Sequence, residues 1–379
     1  MSRARTIVIG TCALLLASTV LLPRGDGPDD AIVPSGDPAE ATRGAQVGRT
    51  QLTPSMRAEI ERVVARGRAE ARVAPRSTTA GLARSLVRCA DLDGQRYCLH
   101  TGWTSLSETQ ARARVADELE AEVAEPASRE STGDLSTLAL LRRTAELTPE
   151  QRARAERREL VQAARSVDKA SLLQQELSTS ASTSGAKTRA DYPERSVVLP
   201  GKKVRAQVRT YWCGPATMQM IARGWQGEFK GQRHWARRLN TTTSGSSIWD
   251  MARVVNQATG YDSADRAGPY IVLDISDYSF RKWLLLNMRH IEDYRAPLVL
   301  HPILLKRYYP SLDDDASGHF QVGRGYDKRG DKPAHIGYFE PWNQQRFDPS
   351  EPYIRRVQWR SAYKSFRANK AHPQQNIGV

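Results

Sequence analysis

Gln207-Val208-Arg209-Thr210-Tyr211-Trp212-Cys213-Gly214-Pro215-Ala216 sets a side-chain amide six residues ahead of a cysteine, with Gly-Pro directly after it. A thiol is nucleophilic as thiolate, and the unpaired N–H groups at a helix start favour that anion. Pro215 belongs in the first turn of a helix, and Gly214 leaves the backbone open to close approach. The spacing predicts Cys213 as a nucleophile at the start of a helix running to about Arg223. Gln207 then lies on the approach, where its amide can join the Cys213 N–H in holding a developing oxyanion. A cysteine alone is more often a buried structural thiol, so a base is needed. Of the seven histidines, His319 follows Gly318 and opens the apolar run Phe320-Gln321-Val322-Gly323. A strand start is a rigid place from which to hold an imidazole against sulfur. His335 opens the next strand and is the rival base. His301, in Leu298-Val299-Leu300-His301-Pro302, reads as a satisfied sheet histidine, and His234, His290 and His372 carry no supporting context. Glu340, before Pro341, ends the strand after that of His319 and is placed to orient the imidazole, with Asp348 before Pro349 as the alternative.

These side chains need elements to hold them. Ser247 with Asp250 three residues on predicts a capped helix to Asn256, and Ser279 to Ile291 reads as a further helix. Strands are expected over 298–304, 319–325 and 335–340. Helices first and antiparallel strands after is an α+β pattern. Nearly all Trp, Tyr and Phe lie beyond residue 187, which sets a domain at 187–379.

The remaining cysteines report on compartment. Cys89 and Cys98 flank Asp93-Gly94, a favoured two-residue hairpin turn. Counting outward from that turn pairs 92 with 95 and 89 with 98, the last at a non-hydrogen-bonded position where a disulfide can close. A zinc site there lacks a second ligand pair, since His100 alone does not make four. Cys12 lies within the apolar run Thr6 to Leu22, which follows Arg3 and Arg5 and reads as an export signal or membrane anchor, residues 1–24. A disulfide fits an exported chain, and it leaves Cys213 as the odd thiol.

Residues 25–50, rich in Gly, Pro, Asp and Ala, read as a disordered linker. Residues 51–104 hold a helix, with Thr53 as N-cap and Pro54 next, and then the cysteine hairpin. Residues 105–186 are helical in composition with thin apolar stripes, a capping box at Thr148 and Gln151, and a linker at Ser178–Ser184. The place of residues 51–186 ahead of the thiol domain, and their thin helical packing, admit a pro-region covering the cleft. The 379 residues carry 56 Lys+Arg against 42 Asp+Glu, a formal charge of +14, and the mean hydropathy is −0.56. Runs such as Arg152-Ala153-Arg154-Ala155-Glu156-Arg157-Arg158 read first as solvated helix faces, and beyond that as attraction to an anionic cell envelope. No basic-aromatic interleaving is present, so no nucleic-acid partner is expected. No cofactor or metal is expected either.

Gln207-x5-Cys213-Gly214-Pro215-Ala216 followed by Gly318-His319-Phe320-x-Val322-x2-Gly325-Tyr326-Asp327 resembles the bacteriocin-processing, double-glycine leader peptidases, the papain-like peptidase family C thirty-nine, in its stand-alone secreted branch. Thr242-Thr243-x-Gly245-Ser246 with Met251 and Val254-Val255-Asn256, and Ala296-Pro297-Leu298-Val299, are similar to intermediate segments of that family. The resemblance covers about residues 196–345. It implies a papain-like domain of helices then antiparallel sheet, with Cys213 as nucleophile, Gln207 as oxyanion donor and His319 as base. The family usually has Asp before Pro at its third position, and Glu340 stands there. The transporter domains that accompany leader peptidases are absent from the sequence. The expected function is an exported thiol peptidase acting on a peptide or protein; the alternative is an inactive envelope-bound binding or scaffold protein on the same fold.

Overall fold

The computed structural model describes residues 51–379 except 71–77, 125–129, 179–186, 228–229, 330–333, 343 and 351. The export run at 1–24, the linker at 25–50 and most of the Ser178–Ser184 linker lie outside the described residues. From the N-terminal side come α1 (Pro54–Glu70), α2 (Thr79–Leu86), β1 (Cys89–Leu92), β2 (Gln95–Cys98), β3 (Gly102–Trp103), α3 (Glu108–Ala124), α4 (Thr137–Ala145), α5 (Pro149–Arg165) and α6 (Val167–Ser178). After them come β4 (Arg195–Val197), α7 (Cys213–Gln226), α8 (Gln232–Arg238), α9 (Ile248–Ala258), β5 (Val272–Asp274), α10 (Phe280–Glu292), β6 (Leu298–Leu300), β7 (Gln321–Asp327), β8 (His335–Phe339), α11 (Gln344–Phe347), β9 (Val357–Ser361), α12 (Ala362–Lys370) and β10 (Asn376–Gly378).

The architecture is α+β, as the sequence predicts. One sheet runs in the order β1-β2-β3-β5-β10-β6-β7-β8-β9, with β4 on the second half of β7. Its pairings are antiparallel except β3 with β5, which meet in parallel at Trp103 and Leu273. The hairpin strands at 89–98 thus belong to the same sheet as β5 to β10. The Asp93-Gly94 turn has positive φ at both residues, 47° and 80°, and the register is the expected one: Leu92 with Gln95, Cys89 with Cys98. The Cys89–Cys98 disulfide is formed across Cα atoms 4.0 Å apart.

Local signals place the helices. Thr148 and Gln151 make a full capping box at α5. Ser247 accepts from the Asp250 N–H at the start of α9, and Ser279 from Lys282 at α10. The α9 stripe of Ile248, Met251, Val254 and Val255 is wholly buried, each side chain contributing roughly 1.5–3 kcal/mol. It packs in one core with Met218 and Ile221 of α7 and Val322 of β7. The thinly apolar helices after residue 107 are also packed. Ala153, Leu160, Ala163 and Ala164 of α5 share a core with Met56, Ile60, Val63 and Val64 of α1 and with Trp103, Leu273 and Trp283. Small alanines let these helices approach closely, which a count of large apolar residues misses.

Candidate active site

Cys213 is the first residue of α7, with Trp212 as N-cap. Gly214 is required by its neighbours, since a Cβ there would lie 2.5 Å from Ser246 Oγ. The helix is fixed to β7 through Thr217, whose hydroxyl donates to Phe320 O at 3.0 Å. That contact brings the residue after His319 to the cysteine helix. The Phe320 and Gly214 N–H groups both act on the sulfur to favour the thiolate. They do not prevail: Cys213 is 0% exposed, and burial, with the Asp134 and Glu340 carboxylates, pushes its thiol well above the ordinary range. The helix start therefore does not give a low thiol pKa in this arrangement, because desolvation outweighs it.

His319 stands just before β7. Its N–H bonds to Pro302 O at 2.9 Å, so the strand ladder begins two residues later, at Gln321. The imidazole is buried. Its Nε2 donates to Glu340 Oε1 at 2.7 Å, and its Nδ1 makes no hydrogen bond among the described residues. With Nε2 turned to the carboxylate, Nδ1 is the ring nitrogen left to take up a proton in the reaction. Glu340 is otherwise held by the Trp342 N–H at 2.8 Å and by Gln321 Nε2 at 2.6 Å. Burial works against its charge, but the imidazole and these donors hold its pKa below the usual range. Asp348 instead bonds Ser350, on an exposed loop.

Gln207 is fully buried beside this pair, its N–H on Pro341 O at 2.7 Å. Its Nε2 faces the carbonyls of Thr210 at 2.8 Å, Arg209 at 3.0 Å and Thr132 at 3.3 Å. Its amide donor is thus engaged within the chain, and it must be released before it can serve an oxyanion. His335 lies at the far end of β8, paired with Asp327 and Ser361, away from Glu340 at the other end.

A second cluster adjoins the first. His301 stacks on Phe320, with ring centroids 4.6 Å apart, and lies 3.8 Å from the His372 ring. Both reach Asp134. His372 Nε2 donates to Asp134 Oδ2 at 2.9 Å, and His301 Nε2 sits 2.9 Å from Oδ1, close but not aligned as a hydrogen bond. His301 Nδ1 is 2.7 Å from Asn376 Oδ1, so the ring is held between the Asn376 amide and the Asp134 carboxylate. Burial opposes the Asp134 charge, yet the two rings hold its pKa well below the usual range. Three metal-ligand types do lie within 4.8 Å here. The Gln374 N–H, however, donates to His372 Nδ1 at 3.1 Å, so a metal on Nε2 would need both ring nitrogens deprotonated. The residues fit a hydrogen-bonded latch better than a cation site. Neither Asp134 nor His372 carries a local sequence signal, since they meet across 238 positions.

This cluster predicts a pH dependence. Burial and the charge on His301 hold the His372 imidazole down to about 4, Asp134 opposing only in part. In the unfolded chain it protonates near 6.5. Between these values the unfolded state binds more protons, so stability falls as pH falls from about 6.5 towards 4. Urea midpoints at pH 7 and pH 4.5 are expected to differ less in His372→Gln than in the wild type.

Residues 130–135 run across the site. Ser317 N–H bonds Glu130 O at 2.9 Å, Thr132 Oγ1 donates to Gly318 O at 2.6 Å, and Ser246 N–H bonds Gly133 O at 2.9 Å. No curated protein and no solved structure matches the chain. Residues 202–370, the segment that holds Gln207, Cys213, His319 and Glu340, match the model of the Peptidase_C39 like family.

Proposed function

We propose that this protein is an exported thiol-dependent peptidase of stand-alone form. The observation that carries the reading is the His319 imidazole, held at Nε2 by Glu340 at 2.7 Å and left with a free Nδ1, on the strand start that touches the Cys213 helix. In the reaction His319 takes the Cys213 proton and the sulfur attacks a peptide carbonyl. The imidazolium then gives its proton to the leaving amine, forming a thioester. Water, deprotonated by His319, hydrolyses the thioester, releasing a carboxylate and restoring the thiol. Gln207, once its amide is freed, supplies the side-chain donor for the oxyanion.

Export is supported by Arg3 and Arg5 ahead of the apolar run Thr6–Leu22 and by the Cys89–Cys98 disulfide. Among the described residues no helix is long and apolar enough to cross a membrane. The charge of +14 favours residence at an anionic envelope. A second reading, an inactive scaffold, draws on the burial of Cys213 and the engaged Gln207 amide.

Incubating a proteome-derived peptide library with the full chain, and with Asp134→Ala, separates the two. New peptide termini that vanish with Cys213→Ala support the peptidase. No cleavage by either protein refutes it in favour of the scaffold.

A further inference from the structure

Residues 130–135, Glu130-Ser131-Thr132-Gly133-Asp134-Leu135, come from the helical region ahead of the peptidase-like segment, yet they touch every side of its site. At one end Glu130 pairs with Ala316, and Thr132 bonds Ser317 and Gly318, the two residues before the base. In the middle the Thr132 carbonyl faces Gln207 Nε2 at 3.3 Å. Gly133 has φ +103°, and a Cβ there would lie 2.3 Å from the Tyr211 carbonyl carbon, two residues before the nucleophile. At the other end Asp134 pairs with Ser246, and the Leu135 N–H bonds Ser246 O at 2.8 Å; Ser246 is the residue packed on Gly214. Ser131 is exposed, so solvent lies on the outer side of the segment, while Cys213, His319 and Gln207 beneath are 0% exposed.

We propose that residues 130–135 form an autoinhibitory strap, latched by Asp134 onto His301 and His372, which shuts the thiol site until the strap is displaced. The inference rests on the reading of Cys213 as nucleophile. The strap acts in three ways. It covers Gln207 and Gly318, so that a peptide cannot approach them. It adds the Thr132 carbonyl to the Arg209 and Thr210 carbonyls that engage the Gln207 amide. It also carries the Asp134 carboxylate towards the sulfur, so that displacement removes both a desolvating cover and a negative charge from the thiol. The strap is held by Asp134 against His301 and His372, by Thr132 on Ser317 and Gly318, and by backbone bridges to Ala316 and Ser246. Gly318 has no Cβ where one would meet Asp134 Oδ2 at 2.3 Å and His372 Nε2 at 2.4 Å, so the residue beside the base is shaped to admit the latch.

The test is the rate at which iodoacetamide alkylates Cys213 in the full chain, followed by mass spectrometry of its peptide. It is run at pH 6 and pH 8 with wild type, Gly133→Ala and Asp134→Asn, and each protein's thermal transition is recorded by circular dichroism. Gly133→Ala forces the strap off Tyr211; Asp134→Asn keeps its shape and removes the carboxylate charge that faces His301 and His372. The wild type is expected to react roughly tenfold or more slowly than either variant that keeps a cooperative transition, because alkylation must await local opening. Equal rates in wild type and folded variants overturn the strap. A His319→Ala change in the Asp134→Asn background separates this from the peptidase reading. If release raises the rate but reaction at pH 6 is independent of His319, the strap stands and the activated nucleophile falls. If the wild type already reacts fast at pH 6 in a His319-dependent way, the nucleophile stands and the strap falls.

Discussion

Glu340→Gln is expected to lower kcat by roughly 10³–10⁴-fold, with KM little changed, by the same logic as an amide replacing the acid of a catalytic triad. The glutamine side chain fits the space, and one of its groups can still meet Trp342 N–H or Gln321 Nε2. The carboxylate, however, accepts from His319 at 2.7 Å and thereby fixes the proton on Nε2. An amide NH₂ facing that nitrogen would donate to it instead, driving the proton to Nδ1, where the base lone pair must be. The loss lies in the ring's tautomer, so ¹⁵N imidazole shifts of the variant should show Nδ1 protonated at neutral pH. Unchanged kcat together with an unchanged tautomer would remove Glu340 from the mechanism. Glu340 reaches the ring from just past the end of β8, where the Trp342 N–H and Gln321 Nε2 hold its carboxylate.

The largest expected effect on stability lies away from the site. Glu156→Ala should cost about 3–5 kcal/mol, read as a fall in urea midpoint at pH 7. Arg88 is 0% exposed, and its guanidinium is held by Glu156 and by the Ser85 carbonyl, with Glu70 3.8 Å away. Gly67 of α1 gives it room, since a Cβ there would lie 2.5 Å from Arg88 Nη2. Removing Glu156 strands a cation in a dry site; replacing both partners, Arg88→Met with Glu156→Leu, should recover most of the loss. Equal midpoints for Glu156→Ala and wild type would show that the pair is solvated and weak. The pair ties α5 to the segment entering β1, and so sets the hairpin end of the sheet.

What could be read from the sequence was local in its causes. The Asp93-Gly94 turn dictates the register of Cys89 on Cys98, and Ser247, Ser279 and Thr148 announce helix starts through hydrogen bonds three residues long. Glu340 was within reach because it ends the strand neighbouring that of His319. The Asp134 latch was not legible, because His301 and His372 acquire meaning only when Asp134 is brought to them from 167 and 238 positions away. His301 does belong to a sheet and is bonded to Asn376, but its other nitrogen faces Asp134. The strand expected from residue 319 begins later for a similar reason. His319 gives its N–H to Pro302 and Gly318 bridges Ile303, so the apolar run enters the ladder only at Gln321.

The place of β10 bears on when the protein can acquire its working form. Residues 376–378 insert between β5 and β6, 163 positions after the cysteine helix begins. Chains emerge from synthesis N-terminal part first, and until this segment arrives the two halves of the sheet have facing edges with nothing to join them. Asn376 is also the residue that fixes the His301 ring. The join in the sheet and the partner of the strap are therefore delivered together, late in synthesis. A chain threaded through a membrane while still extended would carry its cysteine across before the fold that governs it could close.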